Sequence, residues 1–208
     1  MISRNKFNEY INHKQYDCIQ QHKVTNAIIL AAGKSKRFKP ISDYCPKGLS
    51  IVKGEVLVER QIKQLQAVGI SDITLVVGYK KEMFFYLADK YNVKIVVNEQ
   101  YDTQDNISSL RLVLDQLDNT YICSVDNYYP ENLFNTYEYR GFYSTIYVEN
   151  NSDEWVVRTD EAGLINDVNI GAPSGHIMLG FVYFDREFSE NFRRVIHDVE
   201  GIDEYNHH

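Results

Sequence analysis

The sequence predicts an α/β fold: a Rossmann-like, mostly parallel sheet flanked by helices, with an antiparallel or mixed extension in its second half. Three observations lead there. Short apolar runs at residues 27–32, 73–77, 93–97 and 121–125 suit strands, the first two buried on both faces. Helical segments separate them at short spacing, the alternation that lays strands parallel with helices on both sides. Beyond residue 142 the pattern changes to strand-length runs broken by turn signals such as Asn150-Asn151 and Ala162-Gly163.

Taken in order, residues 1–25 are polar, with Phe7, Tyr10, Ile11 and Ile19 enough to support a helix or two. They read as an appendage to a domain spanning residues 26–208. Residues 55–68 form a helix, with Leu57, Val58, Ile62 and Leu65 on one side, Glu59, Arg60 and Lys63 elsewhere, and Gly69 as its stop. Helices are also expected over residues 80–91, 108–117 and 186–199. In the second half, residues 143–148, 155–159, 164–169 and 177–184 read as strands.

A chain of 208 residues suits one such domain, and 44% hydrophobic with 25% charged residues is ordinary for a globular protein. The net charge of −7 argues against a non-specific nucleic-acid binder, which needs a cationic face. It leaves room for a local Lys/Arg cluster around a small anion. No apolar run reaches the length of a membrane span, so no membrane insertion is expected. The polar N-terminus lacks the apolar core of a signal peptide. Cys18, Cys45 and Cys123 are odd in number and form no CxxC pair, which speaks for a reducing, cytoplasmic setting.

The most informative stretch runs Leu30-Ala31-Ala32-Gly33-Lys34-Ser35-Lys36-Arg37-Phe38, then Pro40 and Pro46-Lys47. Ligands of open α/β sheets bind outside the carboxyl ends of the strands. Small residues there let backbone N–H groups approach phosphates, and Lys34, Lys36, Arg37 and Lys47 supply the opposite charge. The plainer alternative is a tight strand-to-helix turn carrying solvated lysines. The Gly-Lys-Ser/Thr ending of a Walker loop is absent. Asp126 follows the strand at 121–125, at the same sheet edge, where a carboxylate can hold Mg²⁺ together with substrate phosphates. Its alternative is the cap of a helix starting near Pro130.

The complete string resembles the signature of the nucleotidyltransferase superfamily, with Ser35 where most members carry a second glycine. The resemblance extends through residues 55–62 and 76–79. It becomes more specific at Asn98, Tyr101, Asn106-Ile107-Ser108-Ser109-Leu110, Val125-Asp126-Asn127-Tyr128, Asp153-Glu154-Trp155 and Gly175-His176-Ile177. These look like the bacterial CTP:phosphocholine cytidylyltransferases, over roughly residues 24–196. The fold implied is the nucleotide-diphospho-sugar transferase type. By that resemblance Leu30, Ala31, Ala32 and Gly33 contact the nucleotide, with Lys34 beside them, Arg37 binds the outer phosphates, and Lys47 stabilises charge at the α-phosphorus. Asp126 matches the metal-binding aspartate, with Mg²⁺ as cofactor. A second metal ligand usually follows near the domain's C-terminal end; Asp203 and Glu204 are the acids there, in no recognisable motif. In the subgroup most alike, this domain lies between a winged-helix segment and a choline-kinase-like domain. Residues 1–25 would then be the end of the upstream module, with the missing ligand past the end of the chain.

The substrates implied are CTP and phosphocholine. A quaternary ammonium is recognised by aromatic faces and a carboxylate. With 16 Tyr, 10 Phe and one Trp, many of them in the second half, the candidates are Tyr129, Glu154, Trp155 and Tyr183. Each aromatic has a core position as its alternative. Tyr79 is expected to line the base pocket or cap the sheet edge. Asn106 and Ser108 are expected to touch base or ribose, or to cap the following helix, or both. Two other functions stay open: a sugar-1-phosphate uridylyl- or thymidylyltransferase, and a nucleotide-binding module without turnover.

Overall fold

The computed structural model describes residues 2–102, 106–150 and 152–198. Helix α1 (Arg4–Asn12) and a 3-10 turn (Tyr16–His22) open the chain. They pack on the 137–139 segment: Tyr16 stacks on Tyr137, and Phe7 meets Tyr139. Strand β1 (Asn26–Ala31) follows and takes an interior place in the sheet.

Next, β2 (Ile51–Val52) and β3 (Glu55–Val56) form a small hairpin. Its turn residues, Lys53 and Gly54, are both at positive φ, which matches the twist of a tight hairpin. Helix α2 (Leu57–Ala67) therefore starts two residues later than its periodicity suggests, and Gly69, at φ 83°, follows its end. Strand β4 (Ile73–Val77) is buried at every position. The helix expected over 80–91 divides into a 3-10 turn (Lys81–Phe84) and α3 (Tyr86–Tyr91). Phe84 and Leu87 are both fully buried, and a three-residue turn brings residues three apart into line.

Strand β5 (Lys94–Val97) leads to α4 (Asn106–Arg111). The helix expected over 108–117 breaks after α4 and resumes as a 3-10 turn (Leu114–Gln116). Packing sets the break, because Val113, Leu114 and Leu117 all bury in one cluster with Ile122 and Val182. Strand β6 (Thr120–Ser124) completes the parallel half, in the order β5-β4-β1-β6.

The second half is antiparallel. It comprises β7 (Phe142–Val148), β8 (Ser152–Thr159), β9 (Ile165–Ala172), β10 (Gly175–Phe184) and finally α5 (Arg186–Asp198). Strand β10 joins the halves by pairing with β6, β7 and β8. The central sheet has a core on each face. Ala27, Ile29, Ala31, Leu75, Val77, Cys123, Phe181 and Tyr183 meet α2 and α3 on one side. Ile28, Val76, Ile122 and Val182 meet the Val113–Leu117 segment and Ile196 on the other. The alternation of side chains along buried strands produces this two-layer arrangement.

Candidate active site

The loop after β1 sits at the carboxyl edge of the parallel strands. Ala31 and Ala32 are buried, and Ala32 carbonyl oxygen accepts from Tyr79 N at 3.0 Å, tying the loop to the end of β4. Gly78 fits closely there: a Cβ would lie 2.6 Å from Tyr101 and 2.9 Å from the Ala32 carbonyl. Gly33 is different. A Cβ at that position would meet nothing within 4 Å, so internal packing does not require glycine there. What a glycine leaves open is the outer side of the loop, where a ligand's phosphates can approach the backbone. Ser35 adopts φ 50°, ψ 49°, the left-handed region favoured by glycine, at the place where the resemblance expects a second glycine.

Lys47 Nζ lies 2.5 Å from Asp126 Oδ2, and neither side chain is fully buried. Two devices bring them together. Leu30 carbonyl oxygen accepts from Val125 N at 3.1 Å, so the turn bearing Asp126 continues the β1–β6 register. A Cβ on Gly48 would overlap Val125 Cγ2, so the Pro46-Lys47-Gly48 segment reaches β6 only because residue 48 is glycine. The sequence expectation does not include Gly48, because its need for glycine arises from the contact with Val125, 77 residues away. No helix begins near Pro130, so Asp126 does not cap one.

Arg37 Nη1 donates to Glu154 Oε1 at 2.9 Å, across 117 residues of sequence. That carboxylate, and more weakly Asp126, push the Arg37 guanidinium pKa upward. Arg37, Lys47 and Asp126 therefore share one electrostatic neighbourhood, with Glu154 at its rim. Lys34 pairs with Asp102 and lies 5.7 Å from the Tyr101 ring centroid, on the β4–β5 side. Tyr79 and Tyr101 face each other at 6.3 Å beside the loop, which keeps Tyr79 at the site.

Several expected residues are used otherwise. Tyr183 is 1% exposed and packs on Tyr121 and Phe142. On β10, Phe181 and Tyr183 point to the α2 side, and Phe184 meets Phe188 and Phe192 of α5. Tyr129 is 7% exposed and packs against Phe134 and Phe181. Both rings belong to the core, so neither forms a face of an acceptor cage. Trp155 differs, at 42% exposed on β8 next to Glu154. Ser108 is buried, and its Oγ accepts from Asn98 Nδ2 at 2.9 Å. It braces α4 against the end of β5. Asn106 begins α4, but its side chain lies outside the described residues, as do Asp203 and Glu204.

Among the described residues no group of three or more His, Cys, Asp or Glu is arranged to hold a metal ion. Asp126 is a single, partly exposed carboxylate beside the loop, the donor count of ions that take one or two carboxylates and complete their shell with substrate oxygens and water. No described helix is long and apolar enough to cross a membrane.

Residues 27–136 match the MobA-like NTP transferase domain. The chain is 37% identical over 179 residues to choline-phosphate cytidylyltransferase of Streptococcus pneumoniae, covering 86% of this chain and 78% of that protein. It is 34% identical to 2-aminoethylphosphonate cytidylyltransferase of Lancefieldella rimae, covering 84% and 73%. The solved structure of CTP:phosphocholine cytidylyltransferase from Streptococcus pneumoniae superposes with a TM-score of 0.84 at 34% identity, over 88% of this chain and 80% of that one.

Proposed function

The chain belongs to the MobA-like NTP transferase family, and on that premise we propose that it transfers the cytidylyl group of CTP to phosphocholine, giving CDP-choline and pyrophosphate. The observation that carries this is the meeting of Lys47 and Asp126 at 2.5 Å beside the β1 loop, with Arg37 alongside. An oxygen of the acceptor's phosphate attacks the α-phosphorus. The new P–O bond forms as the bond to the β-phosphate oxygen breaks, and pyrophosphate leaves with that electron pair.

Such a transfer needs positioning and charge neutralisation more than a protein nucleophile. The β1 loop, from Leu30 to Gly33, places the triphosphate. Lys47 faces the charge that grows at the α-phosphoryl oxygens, and Arg37 grips the departing phosphates, two oxygens at a time. Asp126 would hold Mg²⁺, which would supply charge neutralisation for the phosphates. In the structure Lys47 pairs with Asp126 and Arg37 with Glu154. Arg37 is largely exposed in its pair, and such pairs are weak, so a triphosphate easily draws the guanidinium away.

Glu154, once released, is the carboxylate for a cationic acceptor, with Trp155 beside it for the ammonium methyl groups. Phosphocholine and 2-aminoethylphosphonate, named for two of the relatives, both join a phospho group to a nitrogen cation. Pyrophosphate release over a matrix of CTP, UTP and dTTP against phosphocholine, 2-aminoethylphosphonate and glucose 1-phosphate tests the reading. Turnover should be strongest with CTP and phosphocholine. Strong turnover of glucose 1-phosphate with no phosphocholine signal would sink it.

A further inference from the structure

We infer that Gln61 of α2 is a positioning residue for Asp126, holding the turn that presents its carboxylate to the phosphate site. The inference rests on the reading of Asp126 as a metal ligand. Gln61 is 1% exposed, a depth at which an amide costs stability unless its hydrogens are used. Its Nε2 donates to Ser124 O at 3.0 Å and to Asn127 O at 2.9 Å. Those carbonyls bracket Val125 and Asp126, so one rigid amide spans the chord of the turn.

The same turn is held on its other flanks. Asn127 Nδ2 donates to Leu179 O at 2.7 Å on β10, and Val125 packs on Gly48. Gln61 supplies the tether from beneath, from a helix fixed in the core by Val58, Ile62 and Leu65. A leucine would serve burial at this position as well. What the amide adds is a fixed direction for the strand end, which a ligating carboxylate needs. One turn further along α2, Gln64 Nε2 donates to Tyr129 O and Glu131 O, both at 3.1 Å. It clamps the following segment and brackets no site residue, which makes it a matched control.

The test compares Gln61→Met with Gln64→Met in the full chain. Each keeps the side-chain length and removes the donors. Mn²⁺ affinity of the CTP complex, read by electron paramagnetic resonance with no acceptor present, should weaken about tenfold or more in Gln61→Met, the scale of losing an outer partner of a metal ligand. The Mg²⁺ concentration for half-maximal turnover should rise by a similar factor. Gln64→Met should lose comparable thermal stability and leave both quantities at the wild-type value. Equal behaviour of the two variants in metal affinity would overturn the inference. If Gln61→Met fails to fold, Gln61→Glu keeps the shape and, protonated in that buried setting, one donor. It should fall between wild type and a tenfold loss, and wild-type metal affinity there would overturn the inference too. Asp126→Ala separates the premise from the inference. If that variant leaves Mn²⁺ affinity unchanged, the metal reading itself fails and Gln61 has nothing to position.

Discussion

Strands β4 and β9 show how differently the two halves of the sheet are built. All five residues of β4 are buried, between parallel neighbours and under helices on both sides. Along β9, residues 165–170 are all exposed, and its described ladder runs to β8 alone. The buried half can hold a backbone loop and an ion pair at fixed separation, which is what transfer at phosphorus demands. The exposed half leaves Trp155 at the surface, beside a Glu154 that Arg37 holds. In the proposed reaction, transfer at phosphorus falls to the parallel half and the choice of acceptor to the extension, and the Arg37–Glu154 hydrogen bond joins the two.

The strongest way to break this division is at the buried half's edge. Lys47→Ala and Asp126→Ala should each lower turnover by two or more orders of magnitude, with every acceptor alike. Steady-state rates with two acceptors check this, and a loss confined to one of them would contradict it. The next effect separates two aromatics of the second half. Tyr183→Ala should cost about 3–5 kcal/mol of stability by opening a cavity in the core, measured by urea unfolding. Tyr183→Phe should leave the phosphocholine KM unchanged. Trp155→Ala should do the opposite, raising that KM about tenfold, the worth of one well-placed cation–π contact, at unchanged stability and CTP affinity.

That contrast also marks where the sequence was legible. The parallel half announced itself twice, through apolar runs and through the string from Leu30 to Lys47, because strands buried on both faces must be apolar and a phosphate loop must be small and basic. The four strands of the extension were legible from their turns. Which of their aromatics face a ligand was not. Tyr183 and Trp155 are equivalent as composition, and only the alternation along β10 beside Phe181 consigns Tyr183 to the core. For Ser108 too the motif fixes the place and not the partner, since Asn98, which donates to its Oγ, lies on another element. Gly48 and Gln61 act through contacts with Val125 and with the carbonyls of residues 124 and 127, which nothing in their local sequence signals.

A smaller effect tests the rigidity of the buried half through pH. Glu59 lies under α3, accepting from the hydroxyls of Tyr86 and Tyr91 and from Lys90. Burial alone would raise its pKa, but these donors outweigh it and hold the carboxyl below its usual value. Its stabilising contribution is therefore complete above the ordinary carboxylate range and disappears as pH falls through the lowered folded-state value. Glu59→Gln should cost about 1–2 kcal/mol at neutral pH and flatten the acid side of the stability curve. Urea midpoints at a series of pH values check it. An acid limb of unchanged slope would show that Glu59 does not shape it.

One cluster at the sheet's carboxyl edge is proposed to join CMP to a choline-bearing phosphate. Phosphorus NMR of a mixture of CTP, phosphocholine and Mg²⁺ reads it directly, with wild type and Lys47→Ala side by side. Diphosphate signals of CDP-choline should grow with equimolar pyrophosphate in the wild type, and CTP should persist in the variant. CTP and phosphocholine left intact by the wild type, or consumed equally fast by the variant, would contradict it.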